Sequence, residues 1–190
     1  EAMKSLETLG MIDVRHGSGT YVGNFSLDAM VDGLAFRLRL NTDESAHLLG
    51  ELLDIRMILE QAYVRRVIEF SDDEHIAALY GIVDEIEAKV SVGDGFIDED
   101  WRFHEMLYRP MGNTLLTKMV RAFWDVIEVV QTELVVAPIH SERAGAEHRA
   151  IVDAVAARDP DEAAEAMEAH FAGIRVRLDA SERPPAPTAH

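Results

Sequence analysis

The strongest constraint on this chain is a nearly continuous series of helical hydrophobic patterns between Leu27 and about residue 178. Only glycine, proline and short polar stretches interrupt it, as in bundles whose long helices are joined by short connections. No run of about 18 apolar residues occurs, so none of these helices is expected to span a membrane. The sequence therefore predicts an all-α protein built as an antiparallel helical bundle.

Turn and cap residues divide this region into separate helices. The expected helices span about 27–40, 48–70, 72–92, 97–111, 115–136, 141–157 and 159–180. Ser71-Asp72-Asp73-Glu74 predicts a cap and an acidic first turn for the third helix. The second helix is marked by a stripe of apolar residues at steps of four and three, namely Leu48, Leu52, Ile55, Leu59 and Ala62.

The first 23 residues follow a different pattern. A helical repeat of apolar residues ends at Gly10, and two short alternating segments then flank Gly17-Ser18-Gly19, which predicts a β-hairpin. A helix end followed by a hairpin is the second half of a winged helix, so the chain, which opens on Glu1 in mid-helix, is interpreted as a fragment. The predicted segments are 1–23 (C-terminal part of a winged helix-turn-helix with a β-hairpin wing), 24–42 (linker and first helix), 43–180 (helical domain) and 181–190 (disordered, proline-rich tail).

The composition excludes several classes of site. Cysteine is absent, which excludes disulfides, thiolate metal sites and cysteine nucleophiles, and agrees with the reducing cytoplasm where we expect the protein to reside. The formal net charge of −17 argues against a polyanion-binding surface over the chain as a whole. Any contact with DNA must therefore come from a local segment.

Four polar residues occupy helix positions where apolar residues are expected. Asp100 and His104 are one turn apart on the face that also carries Phe103. His148 and His170 lie in the apolar stripes of two later helices. An unpaired buried polar group costs roughly 2–7 kcal/mol, so these side chains need partners.

One divalent cation could satisfy all four side chains together. Three imidazoles and a carboxylate suit zinc as the first candidate, with nickel, manganese or iron as alternatives. A single histidine on an apolar stripe is nevertheless more often a hydrogen-bonded core residue than a ligand. Asp100 and His104 could also form an ordinary pair at i and i+4. The residues alone leave these alternatives open.

Two functional interpretations of the bundle follow from these residues. A mononuclear metalloenzyme of helical-bundle type would activate water at an open metal position, but no convincing general base accompanies the four residues, so no enzyme activity is predicted. A di-iron bundle would need two Glu-x-x-His pairs, and only Glu44 and His47 fit that spacing. The second interpretation is a bundle that only mediates subunit contacts and whose histidines are structural.

Three short motifs carry a resemblance to a known family. They are Asp100-Trp-Arg-Phe-His104, Glu147-His-Arg-Ala-Ile151 and Ala166-Met-Glu-Ala-His170. In this order they resemble the metal-ligand motifs of the FCD domain, the effector-binding domain of the FadR subfamily of GntR-family transcription regulators. Residues 1–22 resemble the end of that family's recognition helix and its wing. The resemblance covers residues 1 to about 178.

The resemblance implies a bundle that encloses a cavity with a metal ion at its floor. The implied ligands are Asp100, His104, His148 and His170. Arg56 matches an arginine that points into the family's cavity, where a guanidinium could bind the carboxylate of a small organic acid effector in bidentate fashion. A salt bridge to Glu60 is the competing role for Arg56. Asn113 matches a Gly-Asn turn and is interpreted as a helix cap, not a ligand.

The same resemblance implies operator DNA as a partner, contacted mainly through an N-terminal domain that is mostly missing here. The expected contact residues are Lys4, Arg15, His16, Gly17 and Gly19. A cation beside a Gly-x-Gly tip can reach a phosphate or the minor groove. A plain surface hairpin is the alternative, because nearby acidic residues offset the cations. We also expect a homodimer, since GntR operators are typically palindromic, and repression that the effector relieves.

Overall fold

The computed structural model describes residues 1–23, 26–40, 42–133 and 143–181. Within these ranges the elements in chain order are α1 (Ala2–Thr8), β1 (Ile12–Arg15), β2 (Gly19–Val22), α2 (Asp28–Leu40), α3 (Thr42–Val67), α4 (Asp73–Val92), α5 (Ile97–Tyr108), a 3₁₀ turn (Arg109–Met111), α6 (Thr114–Glu133), α7 (Ala144–Ala156) and α8 (Pro160–Ser181). The predicted helical bundle preceded by a β-hairpin is therefore confirmed. Pro138 and residues 182–190 of the predicted tail lie outside the described residues.

The hairpin forms where the sequence predicts it. β1 pairs with β2 in antiparallel register, from Ile12 opposite Val22 to Arg15 opposite Gly19. Gly17 has a φ of 82°, a conformation that side chains with a Cβ rarely adopt, so the glycine of the turn has a direct backbone role. α1 ends just before Gly10, as expected.

The predicted caps are also found. Asp72 accepts a hydrogen bond from the backbone N–H of His75 at 2.8 Å and so caps α4, which ends at Gly93 in the left-handed region. Asn113 accepts a hydrogen bond from the backbone N–H of Leu116 at 3.1 Å and caps α6, as predicted. These side chains satisfy backbone donors that a helix leaves free at its first turn.

The buried face of α3 differs from the predicted stripe. Ile55, which belongs to that stripe, is 53% exposed, and Ala62 is also exposed. The buried positions of this helix are Leu49, Leu52, Leu53, Arg56, Glu60, Val64 and Val67. The stripe marks the helix but only part of its buried face, with Leu52 buried and Leu48 and Leu59 packed against the core. Arg56 and Glu60 pair with each other, so two charged residues occupy core positions that a hydropathy pattern assigns to the surface.

The remaining helices pack around α3 and α8. α3 packs mainly on α8, α8 on α7, α7 on α4 and α4 on α5, while α2 packs on α6. Their buried faces share one apolar core, which includes Val83, Phe103, Leu107 and Ile151. Among the described residues no helix is both long enough and apolar enough to cross a membrane. This packing brings the inner faces of α3, α5, α7 and α8 together around one buried polar cluster.

Candidate metal centre

The four residues singled out as ligands meet inside the bundle. α5 contributes Asp100 and His104, α7 contributes His148 and α8 contributes His170, and all four side chains are buried. One ligand atom from each lies within 4.8 Å of the others. Ligand atoms on a single zinc ion at about 2.1 Å lie at most roughly 4.2 Å apart, so small side-chain shifts would close the set around an ion.

Asp100 lies between two of the histidines. Its Oδ1 atom is 2.6 Å from Nε2 of His148 and 3.6 Å from Nε2 of His104. The ring centroids of His148 and His170 are 4.5 Å apart. The carboxylate and the three rings therefore surround one small volume, within which Asp100 is hydrogen-bonded to His148.

Each ring nitrogen of His148 faces an oxygen atom. Its Nδ1 atom is 2.7 Å from the backbone carbonyl oxygen of Ala144, which can only accept a hydrogen bond. Its Nε2 atom faces Asp100, whose pKa is held well below its usual value: burial raises it, but the charges and hydrogen bonds of His148 and His104 lower it more. A metal ion shared by Nε2 and the carboxylate would satisfy both atoms, while Nδ1 donates to the carbonyl oxygen of Ala144.

His170 has the properties of a neutral ligand. Neither of its ring nitrogens has a hydrogen-bond partner, although the side chain is only 2% exposed. Burial, together with the positive charge of His148 and His104, lowers its pKa well below the ordinary value. A neutral imidazole with an unused lone pair inside a protein is the form that binds a transition metal.

His104 is oriented by Glu60, a residue of α3. Its Nδ1 atom donates to Oε2 of Glu60, which leaves Nε2 without a hydrogen-bond partner and directed toward Asp100. Burial is the largest influence and lowers the pKa of His104, but the charge of Glu60 and the hydrogen bonds to Asp100 and Glu60 together raise it above its ordinary value. A carboxylate behind a metal-ligating histidine is a common arrangement, because it fixes the ring and makes its other nitrogen a stronger ligand.

Arg56 is buried beside the same carboxylate. Its Nε atom donates to Oε1 of Glu60 at 2.5 Å, so the salt bridge weighed on sequence grounds is present. Nη1 and Nη2 of Arg56, however, have no hydrogen-bond partner. The salt bridge and an inward-pointing guanidinium are therefore compatible, since each uses different nitrogen atoms.

Two aromatic rings hold the guanidinium in place. The Cζ atom of Arg56 lies 4.5 Å from the ring centroid of Trp124 and 5.1 Å from that of Phe171. The indole nitrogen Nε1 of Trp124 is itself buried without a hydrogen-bond partner. Three donor nitrogens from Arg56 and Trp124 are thus available for an acceptor.

The comparisons with known proteins identify the family. The FCD domain family matches residues 51–173. The chain belongs to the FCD-domain family of GntR-type regulators.

Relatives and solved structures agree with this assignment. NedR of Micromonospora viridifaciens, described as a candidate transcriptional regulatory protein, is 37% identical over 108 residues, which cover 57% of this chain and 78% of NedR. The transcriptional repressor NanR of Enterobacter sp. strain 638 is 26% identical over 179 residues, covering 92% of this chain and 67% of NanR. Both relatives are named as transcriptional regulators, in agreement with the predicted regulatory role.

The fold is also similar to solved regulators. The GntR structure from Streptococcus agalactiae has a TM-score of 0.65 and 26% identity, with 92% of this chain and 78% of that chain covered. McbR/YncC of E. coli has a TM-score of 0.64 at 15% identity, with 96% and 79% covered, and supports the fold alone.

Sequence reasoning missed three residues of this FCD domain's buried cluster. Glu60 was weighed only as a salt-bridge partner, although it joins Arg56 to His104. Two further residues were not singled out from the sequence: Tyr108, whose hydroxyl donates to Oε2 of Glu60 at 3.1 Å, and Trp124. The one available signal was the spacing of Arg56 and Glu60 on a single helix face.

The other expected site residues are exposed to solvent, unlike those of the buried cluster. Arg15 is exposed on the hairpin, where it pairs with Asp13 at 2.9 Å and stacks over Tyr21. Lys4, His16, Gly17 and Gly19 are also exposed. His47 lies on the exposed side of α3 near Glu51, so it does not join the buried histidines.

Proposed function

We propose that this FCD domain is the sensor of a metal-dependent, DNA-binding transcription regulator that responds to a small organic acid. One observation carries the proposal: a buried carboxylate and three buried imidazoles offer ligand atoms within 4.8 Å of one another. Unpartnered nitrogens of His104 and His170 add support, because such atoms are costly to bury.

The metal ligands in this proposal are Asp100, His104, His148 and His170. Their donor set of one carboxylate and three imidazoles fits zinc best, with nickel, manganese or iron as alternatives. When bound, the ion supplies a positive charge that can hold an acidic effector. Asp100 and the histidines hold the ion, while Ala144 and Glu60 fix the rings of His148 and His104 from behind.

Arg56 and Trp124 are proposed to bind the effector's carboxylate. Nη1 and Nη2 of Arg56 form a planar pair of donors that matches a carboxylate's two oxygens. The rings of Trp124 and Phe171 restrict the guanidinium, so little side-chain freedom remains to be lost on binding. The chemical class is a small carboxylic acid.

The test is metal analysis of the wild type, His148→Ala and a control histidine variant. His75 is the control because its ring makes hydrogen bonds through both nitrogens, to Ser71 and Met106, outside the cluster. We expect one bound metal ion in the wild type and in His75→Ala, and none in His148→Ala. Equal metal content in all three proteins would contradict the metal site.

A thermal-shift screen of small carboxylic acids tests the sensor part. An acid that binds only the folded state raises the melting temperature with its concentration. We expect stabilisation of the metal-loaded wild type and its loss in Arg56→Met. Stabilisation of metal-free Asp100→Ala, without any effect on the metal-loaded wild type, would contradict the assignment of the pocket.

Contact with operator DNA is proposed through the hairpin and the preceding domain of a complete regulator, acting in the cytoplasm as a homodimer. The exposed Ile55 and Ile58 on α3 support a subunit contact. In a fusion to the first part of a relative's winged helix, Arg15→Ala should lower the salt dependence of DNA binding by about one phosphate contact. The acid should weaken DNA binding if it relieves repression, because a ligand shifts an equilibrium only through different affinities for its two states.

A further inference from the structure

Glu60 is the one described side chain that hydrogen-bonds to both candidate binding elements. Oε1 accepts from Nε of Arg56, and Oε2 accepts from Nδ1 of His104 and from the hydroxyl of Tyr108. The carboxylate is completely buried, and every contact comes from a donor. Any change in charge on the metal side or on the Arg56 side therefore acts on the same carboxylate.

We propose that Glu60 is a positioning residue that makes acid binding at Arg56 depend on the metal ion. This inference rests on the proposed function, since it assumes that the four ligands hold a divalent ion and that Arg56 meets a carboxylate. It adds a role for a residue that touches neither the ion nor the acid.

On the metal side, Glu60 favours binding. It accepts the Nδ1 proton of His104 and so keeps Nε2 directed at Asp100. A histidine that donates to a carboxylate is a stronger ligand, and loss of such a partner typically lowers metal affinity 10–100-fold.

On the acid side, Glu60 opposes binding. It already neutralises Arg56, and a second carboxylate at Nη1 and Nη2 would lie close to it in a buried site where like charges repel strongly. The buried carboxylates of Glu60 and Asp100 outnumber the one buried guanidinium, that of Arg56. A divalent ion held by the four ligands adds positive charge beside them, so the acid is accommodated only when the ion is present.

The test compares the wild type with Glu60→Gln and with Glu51→Gln, an exposed glutamate of the same helix that lies near His47. Zinc affinity is measured by calorimetry on metal-free protein at one mildly alkaline pH for all variants, because zinc competes with protons for its ligands. Acetate is then titrated with and without zinc, and binding is followed by thermal shift. Wild type and Glu51→Gln should bind acetate only with zinc. Glu60→Gln should bind zinc about 10–100-fold more weakly, yet bind acetate without zinc.

The opposite directions of these two effects separate positioning from simple structural support. A parallel fall of both affinities in Glu60→Gln, or acetate binding by the wild type without zinc, would overturn the inference. If zinc binds but acetate binds to no variant, the inference fails while the metal site stands. If the wild type binds no zinc, the proposed function fails as well.

Glu60→Asp covers the possibility that the glutamine variant does not fold. It keeps the negative charge but is one methylene too short to reach both Arg56 and His104. Zinc affinity should fall, while acetate should still require zinc. Acetate binding to zinc-free Glu60→Asp would contradict the proposed repulsion.

Discussion

Two arginine–carboxylate pairs in this chain have the same chemistry and opposite surroundings. On the hairpin, Arg15 and Asp13 are 2.9 Å apart, with 66% and 50% of their side chains exposed. On α3, Arg56 and Glu60 are 2.5 Å apart, with 1% and 0% exposed. If the Arg15–Asp13 pair separates, water can hydrogen-bond to both side chains. If the Arg56–Glu60 pair separates, bulk water reaches neither.

This difference determines what an unpaired atom means in each region. On the hairpin, unsatisfied nitrogens of Arg15 are hydrated, so they carry no information about a ligand. Inside the bundle, Nη1 and Nη2 of Arg56 are shielded from bulk solvent and have no acceptor among the described residues. A buried pair already pays a large desolvation penalty, and further unmet donors are tolerated mainly where a ligand meets them. The comparison therefore favours the bundle as the location of the sensor.

Replacing each arginine with methionine should give the largest contrast. Arg56→Met leaves Glu60 as a buried charge without its guanidinium and should lower the free energy of unfolding by about 3–5 kcal/mol. Arg15→Met breaks an exposed pair and should change it by less than about 1 kcal/mol. Urea denaturation of metal-free protein measures both values. Similar losses in the two variants would mean that the α3 pair is hydrated in solution.

The stability that the buried Arg56–Glu60 pair contributes should depend on pH. Burial raises the pKa of Glu60, but Arg56 and His104 lower it further, from 4.5 to about 2. A carboxylate with a lowered pKa contributes stability above its unfolded pKa and loses it as the pH falls toward the folded value. Between about pH 5 and pH 3 the wild type should therefore lose about 2 kcal/mol more than Glu60→Gln. Parallel loss in both proteins, measured by urea denaturation, would contradict the low pKa.

The same contrast explains how far the sequence alone could lead. Helix periodicity, caps and the hairpin turn are local features, so the bundle, the caps at Asp72 and Asn113 and the glycine turn followed from the residues. The four polar positions could be singled out because each interrupts an apolar stripe. Glu60 could not be assigned, because its contact with His104 joins residues 44 positions apart. Hydropathy also could not assign Arg56 and Glu60 to the buried face of α3, since it cannot recognise a charged pair that neutralises itself.

Arg158 is an intermediate case between the two pairs. Its Nη1 atom donates to the backbone oxygens of Ile68 and Ser71 at 2.6 and 2.7 Å, and its φ of 61° lies in the left-handed region. Arg158→Ala should cost about 1–2 kcal/mol, because partly shielded carbonyls lose a charged donor. Arg158→Gly loses the same bonds but relieves backbone strain, so it should be about 1 kcal/mol more stable than the alanine variant. Equal stability of the two would place the whole effect in the side chain.

Asp72 gives the smallest effect and tests whether exposure alone makes a polar contact unimportant. Its carboxylate is exposed, yet it accepts from the backbone N–H of His75 at the start of α4. That donor has no partner within the helix, so Asp72→Ala should cost about 1 kcal/mol. Asp73→Ala removes an equal charge from the first turn and should cost only about 0.3–1 kcal/mol through the helix dipole. Thermal denaturation of both variants measures the difference. If Asp73→Ala is the more destabilised variant, charge near the start of α4 contributes more stability than the cap. The exposed hydrogen bond of Asp72 would then add little beyond its charge.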